Sequence, residues 1–144
     1  MEPPPPEIIH ASCVSLDGRA ALILGPSGSG KSALALQLMA GGALLVADDR
    51  TVLRREGALL MAEAPPAIAG LIEARGMGIF RTRQVISAPV ALVVDLSQTE
   101  DQRLPEPRTH RLCDLTFPCL RAVPGPHFAA AVLLCLKGTL LSAT

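Results

Sequence analysis

The sequence predicts an α/β domain in which an N-terminal β-hairpin leads into a phosphate-binding loop and a helix closes the chain. Three observations predict it. Residues 20–24 form a short apolar run of buried-strand type. Gly25-Pro26-Ser27-Gly28-Ser29-Gly30-Lys31-Ser32 follows at once and fits G-x-x-x-x-G-K-[ST]. Residues 33–39 are then built almost entirely from strong helix formers, stopped by Gly41-Gly42. Strand, loop and helix in that order carry an anion to a helix N-terminus, where unpaired N–H groups and the helix dipole favour negative charge. A glycine-rich strand-to-helix turn without a ligand is the plainer reading of the same stretch. Spacing and flanks together favour the phosphate loop, with residues 25–32 as the nucleotide cradle. Lys31 then serves the β- and γ-phosphates, and the Ser32 hydroxyl serves Mg²⁺.

Composition narrows the class. At 144 residues, 49% hydrophobic and 18% charged, the chain is one globular domain. Aromatics are 2% with no Trp or Tyr, so the core is aliphatic and base stacking on single-stranded nucleic acid is disfavoured. The formal net charge is zero, which gives no basic field for DNA or an acidic membrane. Residues 1–7 carry Pro3-Pro4-Pro5-Pro6 and read as a disordered tail, with none of the marks of a signal peptide. The apolar run 128–136 is too short to span a bilayer, so the expected location is cytoplasmic. Cys13, Cys113, Cys119 and Cys135 have no C-x-x-C or zinc-like spacing and read as small core residues.

Taken in order, residues 8–15 form a first strand joined to the 20–24 strand through Asp17-Gly18, a hairpin turn signal. The hairpin returns His10 to the side of the phosphate loop, which makes it a candidate, although a lone His is more often structural. Residues 43–47 form a buried strand ending in Asp48-Asp49. Two carboxylates at a strand's carboxyl end suit metal and proton work. The stretch 51–61 reads as an exposed hairpin around Glu56-Gly57, and 67–71 as a helical turn. Ile72-Glu73-Ala74-Arg75-Gly76-Met77-Gly78-Ile79 reads either as a flexible loop with an ion pair or as a functional segment. Residues 90–95 form a strand ending in Asp95, which competes with Asp48-Asp49 as the acidic partner of the phosphate loop. The pattern alone does not choose between them. A loop over 97–108, strands over 111–115 and 117–123, a turn at Pro124-Gly125-Pro126 and a helix over 128–137 complete the domain at 138, and 139–144 read as frayed.

His10, the loop 25–32, Val46-Ala47-Asp48-Asp49 and the I-E-x-R-G-x-G-I stretch at 72–79 together resemble the catalytic domain of the HPr kinase/phosphorylase family. The likeness runs over 8–137, with Asp48-Asp49 filling the paired-acid position. It implies a P-loop kinase-type sheet core and transfer of phosphate from ATP, with Mg²⁺, to a serine of HPr. HPr is the phosphocarrier of the sugar phosphotransferase system; a nitrogen-branch paralogue is the other expected acceptor. By the same resemblance Ser32 and Glu73 match the Mg²⁺ positions, Asp49 the base for the seryl proton, and His10 and Lys31 catalytic positions. Arg103 is the best match to a late-loop catalytic arginine. A homo-oligomer, hexameric in the family, is implied as well.

Two departures from the family pattern stand out. Long members carry an N-terminal domain, so the chain resembles a short form. In the stretch that serves phosphorolysis, Arg121-Ala122-Val123-Pro124-Gly125-Pro126 keeps the turn but places Val123 and Pro126 at basic positions, which leaves the reverse reaction open. Two rival readings share the phosphate loop: a kinase of a small-molecule alcohol, and a nucleotide-binding ATPase switch.

Overall fold

A computed structural model describes residues 4–138. The first three residues of the proline-rich tail, and residues 139–144 expected to fray, lie outside the described residues. The elements run β1 (Glu7–Leu16), β2 (Arg19–Leu24), α1 (Lys31–Ala40), β3 (Leu44–Ala47), β4 (Arg50–Glu56), β5 (Leu59–Glu63), a 3₁₀ turn (Pro66–Ile68), β6 (Leu71–Ala74), β7 (Gly78–Arg81), β8 (Ala88–Thr99), β9 (Arg108–Leu112), β10 (Leu115–Ala122) and α2 (Phe128–Leu136). Glu7, expected in the tail, opens β1 opposite Leu53.

The β1–β2 hairpin turns on Asp17 and Gly18, both at positive φ (53° and 78°), as a two-residue turn matched to strand twist requires. β2, β8 and β10 run parallel side by side, so the chain segments that follow them leave from one edge of the sheet. β1 is long enough to serve three neighbours: Glu7–His10 pairs with β4, and the remainder pairs with β2 and β3. With β4 on β5, β5 on the start of β8, and β8 on β2, the pairings close a ring.

Both faces of this sheet are covered. Alternate residues of β2 show it: Ala21 and Ile23 face α1 and α2, joining Val14, Leu34, Leu38, Val94, Val132 and Leu136. Ala20 and Leu22 face the other way, into a core with Cys13, Val46, Leu53, Leu60, Val93 and Phe117. A strand apolar on both sides reads as an unbroken hydrophobic run, as 20–24 does.

Several expectations are corrected. The 51–61 hairpin is β4–β5, but its inner face is not exposed: Thr51, Leu53, Leu60 and Ala62 are buried. β8 does not end at Asp95 but runs to Thr99, and β9 already starts at Arg108, which shortens the 97–108 loop at both ends. The final strands turn at Cys113-Asp114, not at Thr116. The 72–79 segment is neither loop nor ion pair but the β6–β7 hairpin. Of the four cysteines, which are all free, only Cys13 is fully buried. No helix among the described residues is long and apolar enough to cross a membrane.

Candidate active site

The loop 25–32 connects β2 to α1 at the carboxyl edge of the parallel strands. α1 begins at Lys31 with Gly30 as its N-cap at φ 100°, without a side-chain cap and without an acidic residue in its first turn. Its leading N–H groups therefore face the loop unmatched by the chain, an arrangement that suits an anion. A Cβ on Gly25 would collide with Ser29 Oγ, so only glycine fits there. Pro26, Ser27 and Gly28 form the exposed rim of the loop. Lys31 is only 7% exposed, and its Nζ donates to the carbonyls of Gly25 (2.8 Å) and Pro26 (3.1 Å).

Asp48 is the centre of the polar cluster. It is 7% exposed, and its Oδ1 accepts from Ser32 Oγ at 2.6 Å and from Ser12 Oγ at 2.8 Å. Its Oδ2 accepts from the backbone N–H of Glu73 at 3.1 Å. One carboxylate thus joins the first turn of α1, the middle of β1 and the strand β6. Asp95 is excluded from that place: its oxygens accept from Ser97 N–H, Ser97 Oγ and Gln98 Nε2 instead.

Asp49 follows with φ 68°, a conformation rare for a residue with a side chain. The Arg50 N–H donates to the Asp48 carbonyl at 2.7 Å across it, which makes Asp49 the centre of a strained three-residue turn. Such backbone costs on the order of 1–3 kcal/mol and persists only where its surroundings hold it. Here the Ala11 N–H donates to the Asp49 carbonyl at 3.0 Å, and the Asp49 N–H donates to Ser12 Oγ at 3.1 Å. The turn directs an exposed Asp49 away from the buried Asp48.

Glu73 is exposed between buried Ile72 and Ala74, so its carboxylate lies outward from a backbone pinned to Asp48. His10 is exposed on β1 opposite Arg50, one residue before the Ala11–Leu24 pair, and therefore beside Gly25. Arg103 is exposed on the loop between Thr99 and Arg108 and makes no bond to the cluster. That loop leaves the same sheet edge and is anchored at Glu100. Both Glu100 oxygens take the Arg108 guanidinium, at 2.7 and 2.8 Å, and the Asp101 and Gln102 N–H groups also donate to it. The Arg108 hydrogen bonds lead in holding the Glu100 carboxyl down to about 2. Burial pushes the Cys13 thiol far up, which makes it an inert core residue.

Ser12 and the central place of Asp48 were not assigned from sequence. For Asp48 the signal existed, an acid immediately after an apolar strand; a serine within a strand carries none.

The residues fit a nucleotide phosphate and a magnesium ion. Ser29 Oγ is buried inside the loop with no partner, an orphaned polar atom within the cradle. The Ser32 hydroxyl spends its proton on Asp48, which leaves its lone pairs for a cation. No group of three or more His, Cys, Asp or Glu side chains suited to a metal occurs among the described residues. Mg²⁺ needs fewer, since it keeps most of its waters and takes one or two protein ligands.

Fold and site define the class: a mixed α/β domain with a glycine loop between strand and helix and a buried acid on the serine after the lysine. The chain belongs to the HPr Serine kinase C-terminal domain family, whose model matches residues 4–111. It is 37% identical to the HPr kinase/phosphorylase of Mycoplasma mycoides, over 66% of this chain and 33% of that protein. It is 33% identical to the HPr kinase/phosphorylase of an Exiguobacterium species, over 93% of this chain and 47% of that protein. The chain thus spans between a third and a half of these curated relatives. The solved HPr(Ser) kinase/phosphatase of Coxiella burnetii superposes with a TM-score of 0.78 at 25% identity, covering 92% of this chain and 89% of that one.

Proposed function

We propose that the chain transfers the γ-phosphoryl group of ATP, with Mg²⁺, to a serine of the phosphocarrier protein HPr or of a close paralogue. The observation that carries this reading is the bond from Ser32 to Asp48, with Asp49 turned outward beside it. Residues 25–32 bind the phosphates through backbone N–H groups, and Lys31 adds a positive charge. Ser32 and Glu73 would hold Mg²⁺, which supplies charge neutralisation on the β- and γ-phosphates when bound. Asp49 accepts the seryl proton as the seryl oxygen attacks the γ-phosphorus and ADP leaves. His10, beside Gly25, and Arg103 are proposed to face the transferred group from the two sides of the loop. Oligomerisation, as a hexamer, belongs to the same reading. Its support is the β6–β7 hairpin, which exposes Met77 (79%) and Ile79 (71%), apolar surface that assembly would cover.

The test is incubation of the chain with Mg²⁺-ATP and HPr, or the paralogue, followed by intact mass. Wild type is expected to add one phosphate at serine, and Asp49→Asn to lose at least about 100-fold of that rate. Turnover of a small alcohol, or acceptor-free ATP hydrolysis with no phosphoserine, would instead establish one of the two rival readings.

A further inference from the structure

Ser12 is a buried hydroxyl in an otherwise apolar stretch of β1, between Ala11 and Cys13, with no exposed surface. A small apolar residue would satisfy burial equally well, so the hydroxyl needs its own account. Its oxygen does two things at once. It donates its proton to Asp48 Oδ1 at 2.8 Å and accepts the Asp49 N–H at 3.1 Å. The neighbouring Ala11 completes a clasp: its N–H donates to the Asp49 carbonyl, and its carbonyl accepts from Thr51 Oγ1 at 2.9 Å. Two consecutive residues of β1 therefore hold Asp49 on both sides of its peptide and fix the carboxylate that orients Ser32.

We propose that Ser12 is a positioning residue: its hydroxyl couples the buried Asp48 to the strained Asp49 turn, so that the Ser32 hydroxyl and the Asp49 carboxylate are set in one fixed relation. This rests on the kinase reading given above. Without the hydroxyl, Asp48 keeps two donors and the Asp49 N–H loses its acceptor. The turn at Asp49 then relaxes toward ordinary backbone and its carboxylate leaves the seryl oxygen. Phosphate binding by the loop does not pass through Ser12, so ATP affinity is spared. The effect falls on kcat.

The experiment compares Ser12→Ala, Ser12→Thr and Ser12→Val. Thr and Val have the same shape and differ only in the hydroxyl. Initial rates of HPr phosphorylation are fitted for kcat and KM, with thermal melts run alongside. The expected result is a kcat about tenfold lower in Ser12→Ala and Ser12→Val, an ATP KM within about twofold, and recovery in Ser12→Thr to within about threefold of wild type. Wild-type kcat in Ser12→Ala, or equal loss in the Thr and Val variants when all melt cooperatively, overturns the proposal. Should Ser12→Ala not fold, the Thr and Val pair decides. If wild type itself leaves HPr unmodified, the kinase reading fails and Ser12 is judged separately by amide hydrogen exchange at Asp49, whose N–H donates to the Ser12 hydroxyl. Several-fold faster exchange of that amide in Ser12→Ala and Ser12→Val but not in Ser12→Thr supports the coupling, and unchanged exchange refutes it.

Discussion

Replacing Asp48 with Asn changes neither size nor shape, yet it removes the charge on which three donors converge. Ser12 Oγ, Ser32 Oγ and the Glu73 N–H lie at 2.8, 2.6 and 3.1 Å from the two oxygens. An amide has one acceptor atom to offer. If that oxygen faces the serines, its NH₂ meets the Glu73 N–H donor to donor and leaves a part-buried N–H unpaired, at the lower end of the about 1–3 kcal/mol that a buried donor costs. The two serine bonds also fall from charge-assisted to neutral strength, about half. If the amide is flipped, the serine hydroxyls lose their acceptor, and Ser12 Oγ, already taken by Asp49, faces a second donor. Relief from burying a charge in a site 7% exposed offsets part of this, leaving a net loss of about 2 kcal/mol. For a domain of this size that corresponds to a melting temperature lower by about 7 °C. On the proposed kinase function, the phosphoryl-transfer rate should fall by about 100-fold or more, since Ser32 and Asp49 both lose their reference point. Circular dichroism melts at neutral pH and the phosphoserine assay read the two effects. A melting temperature within about 2 °C of wild type would show that the three bonds contribute little, and the account of Asp48 as the organising carboxylate would be wrong.

Two further predictions concern the loop and its surroundings. Gly25→Ala places a methyl against Ser29 Oγ at a backbone φ of 153°, so nucleotide affinity should drop by about tenfold or more while α1 and the sheet remain folded; titration with a fluorescent ADP analogue checks it, and wild-type affinity refutes it. Glu100, with its carboxyl held at about 2 against an ordinary 4.5, contributes stability that is present above pH 4.5 and lost as pH falls from there toward 2. Glu100→Gln should therefore melt below wild type at pH 6, with the gap narrowed at pH 3 and closed only as pH approaches 2; a gap independent of pH would contradict the Arg108 pairing.

How much of this was legible depends on the range of the interaction that sets each feature. The β1–β2 hairpin was legible because Asp17-Gly18 supplies both positive φ values locally. The loop and α1 were legible because glycine spacing and helix formers act over a dozen residues. The β9–β10 turn was not, because Cys113 and Asp114 take φ values of 50° and 61° with no glycine between them to mark it. The end of β8 was hidden for a related reason. Ser97, Gln98 and Thr99 are polar and exposed, and only the pairing of Thr99 with Ala122 of β10 keeps them in the sheet.

The candidate site divides along the same line. Which of two adjacent acids is buried and which faces outward is not a property of the pair Asp48-Asp49, since either order of roles is consistent with the local sequence. Register decides it. β1 pairs with β2 through Ala11–Leu24 and with β3 through Cys13–Ala47, and this lays the Ala11 and Ser12 polar groups against the turn that follows β3. The Ser12 hydroxyl then meets Asp48, the Ala11 N–H meets the Asp49 carbonyl, and the turn at Asp49 follows from those contacts. The two segments are 36 residues apart in the chain. The phosphate loop announces itself because its chemistry is carried by contiguous backbone. The acids beside it acquire separate positions, one buried and one exposed, only once a distant strand has been laid against them, and for that reason a change at Ser12, a residue with no motif of its own, is expected to reach the proposed reaction.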